Sequence, residues 1–336
     1  MNDAASAARA SPVFHIGMHK TATSWFQSRY YPRLTSHRFC DRVKARNAIL
    51  GGNAYRFDAV AARTALAIED GPPLLVCDED LSGVLHNGGL LTSFLATGVA
   101  ERLHAIAPDA RIVIFVREQV AMAAACYHQY VREGGTAGPR RYLFPESYRH
   151  LTKARPFKTP RFDFCQFDYE GLIARYDALF GRDQVHVFTY EEFARDRAGF
   201  LDRFAAQLGL GLGPERGEGA VNASYRSGTI WLARALNLFT ARSVADKRVV
   251  LHIPYWYSAR KWLLRQVDRV PLMGPRRNAE RAIGADAARW IRSEFSPMNV
   301  RLAERMGVDV AALGYAVDAP PAPRPVRARW LQWLRN

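Results

Sequence analysis

The chain has 336 residues, of which 49% are hydrophobic and 24% are charged. That composition can bury a sizeable core as one large domain or two, and it excludes disorder and coiled coil as the main state of the chain. The 47 Lys and Arg residues against 32 Asp and Glu residues give a net charge of +15, which suits an anionic partner such as a phosphate ester, a nucleic acid or an acidic membrane surface. Charge alone does not choose among these partners, because an Arg-rich composition also follows from a GC-rich genome.

The four cysteines are widely spaced along the chain, at Cys40, Cys77, Cys126 and Cys165. They form no CxxC or Cys/His pattern, so the sequence predicts neither a disulfide framework nor a zinc site. The N-terminal segment lacks the apolar run of a signal peptide, and no run of about 18 apolar residues follows it. We therefore expect a cytoplasmic protein that does not span a membrane.

Four short apolar runs predict buried parallel strands. They are Pro12–Gly17, Pro73–Cys77, Arg111–Val116 and Val185–Phe188. Polar residues follow the runs, and helical patterns separate them; another helix is predicted over Phe193–Leu208, closing at Gly209. The alternation predicts an α/β fold with a central, mostly parallel sheet.

Two regions depart from this alternation. Residues 136–168 are rich in Arg, Pro and aromatic residues, and they predict a lid-like loop over a site. Residues from about 222 to 315 have a mainly helical pattern, and we expect a single domain over 12–315. Residues 316–336 hold a Pro-rich linker and a basic tail, 326–336, whose three Arg and two Trp residues suit an amphipathic segment.

The loop after the first apolar run carries the strongest functional signal. Gly17 ends the strand, Lys20 follows three residues later, and Thr21, Thr23 and Ser24 lead into a helix. Backbone N–H groups, hydroxyls and an ammonium group at a helix N-terminus form a cradle for phosphate or sulfate. The Walker motif of kinases and ATPases requires GxxxxGK(S/T), and the spacing here does not match it.

This loop and four later segments share an order of motifs with a known family. The segment His15–Gln27, HIGMHKTATSWFQ, resembles the 5′-phosphosulfate loop of sulfotransferases that use 3′-phosphoadenosine 5′-phosphosulfate (PAPS), particularly bacterial members with an HKTGT or HKTAT core. The later segments are CDEDLSG (Cys77–Gly83) with Gly88 and Gly89, FVREQ (Phe115–Gln119) running into Tyr127–Gly135, the fourth-strand region Phe167–Phe193, and the C-terminal segment Asn299–Tyr315. The ordered set spans residues 13 to 315, so the resemblance is specific at the level of the family.

The resemblance implies a three-layer α/β sandwich with a P-loop-like strand–loop–helix and a mainly helical C-terminal part. It also implies transfer of a sulfonate group from PAPS to a hydroxyl of a small-molecule, lipid or saccharide acceptor, with release of 3′-phosphoadenosine 5′-phosphate (PAP) and without a metal ion. Positioning and stabilisation of the leaving group dominate such an in-line displacement. Lys20 would counter the charge on the departing 5′-phosphate, and the residues that follow it would bind the donor through N–H groups and hydroxyls. These residues are Thr21, Ala22, Thr23, Ser24 and Trp25.

Ala22 stands where the family most often has Gly. A positive φ at this position would make the alanine cost about 1 kcal/mol or more, whereas a helical φ would make it harmless. The sequence leaves both alternatives open.

Glu79 is the expected general base. It lies just beyond a buried strand between Asp78 and Asp80, where burial and like charges are expected to raise its pKa toward the working range. The resemblance indicates the same residue. His19 is a second candidate that would contact the sulfonate or act as the base, and a purely structural role for it is an equal alternative.

Arg117 resembles the family arginine that binds the 3′-phosphate of the donor through its planar guanidinium. The family normally has a Ser eight residues later, and this chain has Ala125. Either Tyr127, or Arg226 together with Ser227, would replace the missing hydroxyl contact.

Two other functions stay open at this point. Ala22 and Ala125 would suit a protein that binds PAPS or PAP without turnover, and the loop spacing argues against a small-molecule kinase. We expect no nucleic-acid partner, because no recognised binding motif accompanies the basic and aromatic stretch Tyr255–Arg269. The tail 326–336 predicts a peripheral contact with an anionic membrane at its inner face, unless its Trp residues pack onto the protein body.

Overall fold

A computed structural model of the chain describes residues 11–51, 53, 55–83, 92–144, 162–213, 225–241, 244, 247–276 and 278–325. These residues fall into two compact units. As far as its residues are described, the first unit comprises Met1–Gly83, Ser93–Arg117 and Tyr169–Val221, and the second comprises Val84–Thr92, Glu118–Asp168 and Asn222–Asn336. Residues 145–161, the middle of the predicted lid, lie outside the described residues. The same is true of Gly88, Gly89 and the tail 326–336. The single domain expected over 12–315 stays a prediction.

The first unit contains a five-stranded sheet in which every neighbouring pair is parallel. Its strands are β1 (Val13–Gly17), β2 (Arg38–Phe39), β3 (Leu74–Cys77), β4 (Arg111–Val116) and β5 (Val185–Thr189), in the order β2-β3-β1-β4-β5. The predicted α/β class is confirmed, and the four predicted strands are observed within one residue of their expected bounds. Strand β2 has only two residues, too few for a periodicity to indicate it.

Helices connect these strands. They are Thr23–Trp25, Arg42–Ile49, Ala59–Leu66, Thr92–Ile106, Tyr169–Phe180, Tyr190–Arg195 and Arg197–Leu208, with a π-helical turn at Phe26–Tyr30 and 3₁₀ turns at Tyr31–Arg33, Glu79–Ser82 and Arg182–Gln184. The single helix predicted over Phe193–Leu208 is wrong at Asp196. The side chain of Asp196 accepts a hydrogen bond from the N–H of Gly199 and caps a new helix there.

An aromatic core packs beneath β1 and β4. The ring of Phe26 lies 5.2 Å from that of Phe115 and 5.4 Å from those of Phe193 and Phe204, measured between centroids. His15 is fully buried in the same region, with its Nδ1 2.6 Å from the Tyr31 hydroxyl, and burial lowers its pKa to about 3. Strand β1, which leads to the Lys20 loop, is therefore supported by a closely packed core.

The second unit is helical. Its helices are Gln119–Arg132, Pro139–Leu143, Ser227–Leu236, Trp256–Val267, Ala279–Ile283 and Ala285–Met306, with 3₁₀ turns at Phe164–Phe167, Asn237–Phe239, Pro271–Met273 and Ala311–Leu313. The helices Gln119–Arg132 and Ala285–Met306 are joined by two hydrogen bonds, of 2.6 and 3.3 Å, between the buried side-chain amides of Gln119 and Asn299. The helical C-terminal part that the resemblance implies is confirmed for the described residues.

Candidate active site

The strand order places a crevice at the carboxyl ends of β1 and β4. After β1 the chain crosses to β2 and β3 on one side, whereas after β4 it continues to β5 on the other. Open α/β sheets bind their ligands at such a switch point. The loops that follow these two strands are joined directly, because Nη1 of Arg117 donates to the carbonyl of Lys20 at 2.9 Å.

A bulge at the end of β1 gives the Lys20 loop its direction. His15 pairs with Val113 and Gly17 pairs with Ile114, so one extra residue lies in β1 at this point. Gly17 has a φ of +98°, and a Cβ on it would lie 3.0 Å from the Cα of Glu79. Only glycine combines this conformation with so close an approach, and the loop after β1 therefore touches the loop after β3.

The Lys20 loop is held in a left-handed conformation at two positions. Lys20 has a φ of 61° and Ala22 a φ of 70°. The carbonyl of Ala22 accepts from the N–H groups of Trp25 (2.8 Å) and Phe26 (3.1 Å), which starts the following helix. Of the two alternatives for Ala22, the structure has the positive φ, at which an alanine is less stable than a glycine.

The other donor-binding candidates in this loop are placed unequally. The hydroxyl of Thr21 donates to the carbonyl of Met18, and the N–H of Trp25 is used within the loop. Thr23 is buried and Ser24 is exposed, both at the start of the helix, where the first N–H groups have no partner within the helix. Trp25 itself is buried in the aromatic core. Backbone N–H groups at the start of this helix are thus the groups best placed for an anion, because the Thr21 hydroxyl is already used within the loop.

Acidic side chains dominate the loop after β3, and two arginines bind them. Arg42 donates to Asp78 at 3.0 Å and to Glu79 at 2.6 Å, and Arg46 donates to Asp78 at 2.5 Å and pairs with Asp80. Both arginines lie on one face of the helix Arg42–Ile49, one turn apart. Burial disfavours the charged form of Asp78, but the hydrogen bonds from Arg46 and Arg42 outweigh it and lower the pKa of this carboxyl.

The expected rise in the pKa of Glu79 is wrong. Burial does act to raise the pKa, but the positive charge of Arg42 and further favourable contacts outweigh it, and the pKa is lowered. One carboxylate oxygen of Glu79 accepts from Arg42, and the other accepts from Gln27 Nε2 at 3.2 Å. Repulsion from the sequence neighbours Asp78 and Asp80 predicted a raised pKa for Glu79. The main cause that lowers this pKa is Arg42, which lies 37 residues earlier, on another helix. Glu79 is consequently ionised and fixed in orientation near neutral pH.

His19 lies between the two loops and is buried. Its Nε2 donates to the carbonyl of Gly83 and lies 3.6 Å from a carboxylate oxygen of Asp80. Burial is the main cause that lowers its pKa, against the pull of Glu79 and Asp80. Because a carbonyl can only accept, Nε2 carries the proton of the neutral ring, and only Nδ1 could take up another. The structural role and the role of the base therefore both stay open for His19.

Arg117 is held by three contacts in the first unit. Besides the carbonyl of Lys20, its guanidinium lies 4.3 Å above the ring centroid of Tyr190, and its own carbonyl accepts from the Tyr169 hydroxyl at 2.7 Å. Its Nε is buried and has no hydrogen-bond partner among the described residues. A buried donor of this kind fits an anionic ligand, which would satisfy it.

The residues expected to replace the missing serine lie in the second unit, where they are engaged locally. The Tyr127 hydroxyl donates to the carbonyl of Ala137 at 3.3 Å. Arg226 donates to the carbonyls of Asp268 (3.1 Å) and Gly274 (3.0 Å), and the Ser227 hydroxyl lies 3.4 Å from the carbonyl of Met273. Their roles toward the donor stay predictions. Ala125 is half-buried in the middle of the helix Gln119–Arg132.

Sequence reasoning missed the residues that hold the site together, namely Gln27, Arg42, Arg46, Tyr169 and Tyr190. One signal in the sequence pointed to two of them. Arg42 and Arg46 are four residues apart in a helical pattern that starts after Asp41, so both side chains were due on one face. Nothing in the sequence showed that this face meets the acidic loop after β3.

The described residues contain no group of three or more His, Cys, Asp or Glu residues that could hold a metal ion. Within the same residues, every helix is too short or too polar to cross a membrane.

Comparison with solved structures identifies the fold. The sulfotransferase of Alicyclobacillus acidocaldarius has a TM-score of 0.50 and 20% sequence identity over 90% of this chain and 98% of its own. The mouse sulfotransferase SULT7A1 complexed with PAP has a TM-score of 0.39 and 13% identity over 91% of this chain and 88% of its own. No family model and no curated protein matches the sequence. The chain therefore has the fold of the bacterial sulfotransferase, as the resemblance implied.

Proposed function

We propose that the protein is a sulfotransferase that moves a sulfonate group from PAPS to a hydroxyl of a small-molecule, lipid or saccharide acceptor. The observation that carries the proposal is the contact between the Lys20 loop and the Glu79 loop, which meet at Gly17. It brings the residue types that the reaction needs, a cation for the leaving phosphate and a carboxylate for the acceptor proton, to one end of the sheet.

Two parts of the site would bind the donor, namely the loop that follows β1 and the side chain of Arg117. The N–H groups at the start of the helix that begins at Thr23 suit the 5′-phosphosulfate, and Arg117, with its unsatisfied Nε, suits the 3′-phosphate. The hydrogen bond from Arg117 to the carbonyl of Lys20 links these two parts, so binding at one phosphate supports the loop that binds the other.

In the reaction, the acceptor oxygen forms a bond to sulfur while the bond from sulfur to the phosphate oxygen breaks. Lys20 would stabilise the electron pair that returns to the phosphate, and Glu79 would take the proton of the acceptor hydroxyl. Glu79 is suited to this step because it is already ionised, and Arg42 and Gln27 fix its two oxygens. Its lowered pKa makes it a weaker base than the sequence suggested, so orientation has to supply more of the rate.

The direct test is product formation. The purified protein is incubated with PAPS and an extract of candidate acceptors, and products heavier by one sulfonate are sought by mass spectrometry. We expect such a product with the wild type and with the matched control Glu294→Gln, an exposed helical residue, and its loss in Glu79→Gln. A product that forms equally well with Glu79→Gln would remove Glu79 from the mechanism, and no PAPS-dependent product at all would contradict the proposal.

A second candidate, binding of PAPS or PAP without turnover, is favoured by one observation. Ala125 lies on a described helix without the hydroxyl that the family normally has there. If this loss weakens donor binding, Ala125→Ser should tighten binding of PAP by about tenfold, the effect of one hydrogen bond to a charged group. Calorimetric titration of both proteins with PAP measures this directly, and turnover by the wild type decides against the second candidate.

The tail 326–336 lies outside the described residues, and its membrane contact stays a prediction. Co-sedimentation with anionic vesicles that is identical for the full chain and for a version ending at Pro325 would reject it.

A further inference from the structure

Exposed apolar side chains are concentrated in one stretch of the second unit. Among the described residues, thirteen large hydrophobic side chains are exposed, and eight of them lie between residues 249 and 272. The exposed fractions are 72% for Val250, 93% for Tyr255, 64% for Trp262 and 87% for Leu272. Scattered exposed hydrophobic residues are normal on a soluble protein, but a cluster of this density marks a binding surface.

The cluster has a fixed framework. The N–H of Val250 donates to the carbonyl of Leu238 at 2.8 Å, and that of Ile253 donates to Phe239 at 3.1 Å. The helix Trp256–Val267 begins three residues later, and its indole at Trp256 donates to the carbonyl of Leu236 at 3.0 Å. The exposed segment 248–255 and the helix Trp256–Val267 are therefore both hydrogen-bonded to residues 236–239.

The helix has two distinct faces. Its inner face carries Leu264 and Arg260, which are fully buried, and Arg260 donates to Asn237 and to the carbonyl of Arg132. Tyr255, just before the helix, and Trp262 within it are seven residues apart and belong to the opposite, exposed face. An amphipathic helix normally buries its aromatic residues, so the exposed aromatic side chains need another partner.

The same stretch is strongly basic. Residues 248–276 contain six Lys and Arg residues and one acidic residue, Asp268. The carboxylate of Asp268 is already paired, since it accepts from the N–H of Arg226 at 2.7 Å and from Arg276 at 3.3 Å. Arg248, Arg265, Arg269 and Arg276 are exposed. The partner of this surface is consequently anionic as well as apolar.

We propose that the exposed side chains of residues 248–276, the basic apolar surface, bind the interface of an anionic lipid bilayer. Tyr and Trp favour the level of the lipid headgroups, aliphatic side chains such as Val250 and Leu272 enter the acyl boundary, and arginines pair with anionic headgroups. This surface is separate from the tail 326–336 and does not depend on the sulfonate transfer proposed above.

Other partners fit the surface less well. A nucleic acid would use the arginines and the aromatic rings, but it offers no apolar phase for the exposed Val250, Leu251 and Leu272. A second copy of the chain in a two-fold interface would set the arginines of one protomer near those of the other, with only one acidic residue in the stretch to balance them.

The test is flotation of the full-length protein with vesicles of phosphatidylcholine, with or without about one third phosphatidylglycerol. We expect binding to the anionic vesicles that falls as salt rises. Tyr255→Ser and Trp262→Ser should each lower the partition coefficient roughly tenfold, and Arg265→Gln and Arg269→Gln should each lower it about fivefold. Because all four side chains are exposed, the thermal unfolding of each variant should match that of the wild type.

Matched controls separate this surface from the rest of the chain. Tyr55→Ser removes a tyrosine that is 97% exposed in the first unit, and Arg203→Gln removes an exposed arginine there; neither should change binding. Because the tail 326–336 is itself predicted to contact anionic membranes, each substitution is also made in the version that ends at Pro325. A partition coefficient that Tyr255→Ser and Trp262→Ser leave unchanged in that version would overturn the proposal, as would absence of binding by the wild type. An oligonucleotide complex or a dimer that these substitutions abolish, without any effect on vesicle binding, would overturn it as well.

Discussion

The loop after β1 takes its shape from backbone conformation, whereas the loop after β3 takes its shape from ion pairs between side chains. Lys20 and Ala22 are both left-handed, and the first loop presents N–H groups and one ammonium. The second loop presents three carboxylates that Arg42 and Arg46 bind. The candidate site thus combines a loop whose shape is set by its backbone with a carboxylate, Glu79, whose charge is set from a neighbouring helix.

The largest effect should come from removing the cation of the first loop. Lys20→Ala takes away the group that stabilises the departing phosphate, and we expect the rate of sulfonated product formation to fall by about 10²–10³-fold. Lys44→Ala, on the exposed side of the helix Arg42–Ile49, is the control and should leave the rate unchanged. Equal rates for the two variants would remove Lys20 from the chemistry.

Gly17→Ala tests whether backbone conformation positions the two loops. A Cβ at a φ of +98°, 3.0 Å from the Cα of Glu79, should lower the free energy of unfolding by about 2–3 kcal/mol and displace Glu79. Urea denaturation measures the first effect and the product assay the second. Gly98→Ala is the matched control, because a Cβ there meets nothing within 4 Å and the residue lies inside a helix.

Arg42→Gln tests the ion pairs of the second loop. Loss of a charged hydrogen-bond donor to two carboxylates should cost about 2 kcal/mol in unfolding. Arg42 lowers the pKa of Glu79, so its removal raises that pKa, and the acid limb of kcat/KM should move to higher pH. The pairing stabilises the folded protein above the unfolded pKa of Glu79, and this contribution disappears as pH falls through the lowered folded value.

Arg46→Gln separates loss of stability from a direct effect on Glu79. Arg46 contacts Asp78 and Asp80 but has no hydrogen bond to Glu79, so its loss should destabilise the protein without the same shift of the acid limb. An acid limb that moves equally in both variants would show that the two arginines act through stability and not through Glu79.

The smallest effect concerns Ala22. Ala22→Gly should raise the free energy of unfolding by about 1 kcal/mol, less whatever the lost methyl contributes to packing, because alanine is disfavoured at a φ of 70°. Ala67→Gly, at a φ of 54°, should change stability in the same direction. Ala303→Gly, inside the helix Ala285–Met306, should change it in the opposite direction. Thermal denaturation of the three variants decides the point.

The fold was predictable where local patterns are strong. Four apolar runs gave four parallel strands, and Gly17 and Lys20 marked the loop between strand and helix. The break at Asp196 was not predictable, because apolar periodicity continues across it while a side-chain cap starts a new helix. The roles of Lys20, Glu79 and Arg117 stay predictions, but their placement after β1, β3 and β4 was predictable. The sign of the pKa shift at Glu79 was not, because it depends on Arg42, which tertiary packing alone brings near.

If the loops after β1 and β4 bind PAPS without a metal ion, as proposed, titration of the protein with PAP should show it. We predict saturable binding of PAP in the presence of a metal chelator, weakened at least about tenfold by Lys20→Ala and by Arg117→Ala, while Lys44→Ala and Arg203→Ala bind as the wild type does. Binding of magnesium ATP in place of PAP, or PAP binding that all four variants share unchanged, would contradict the proposed PAPS site.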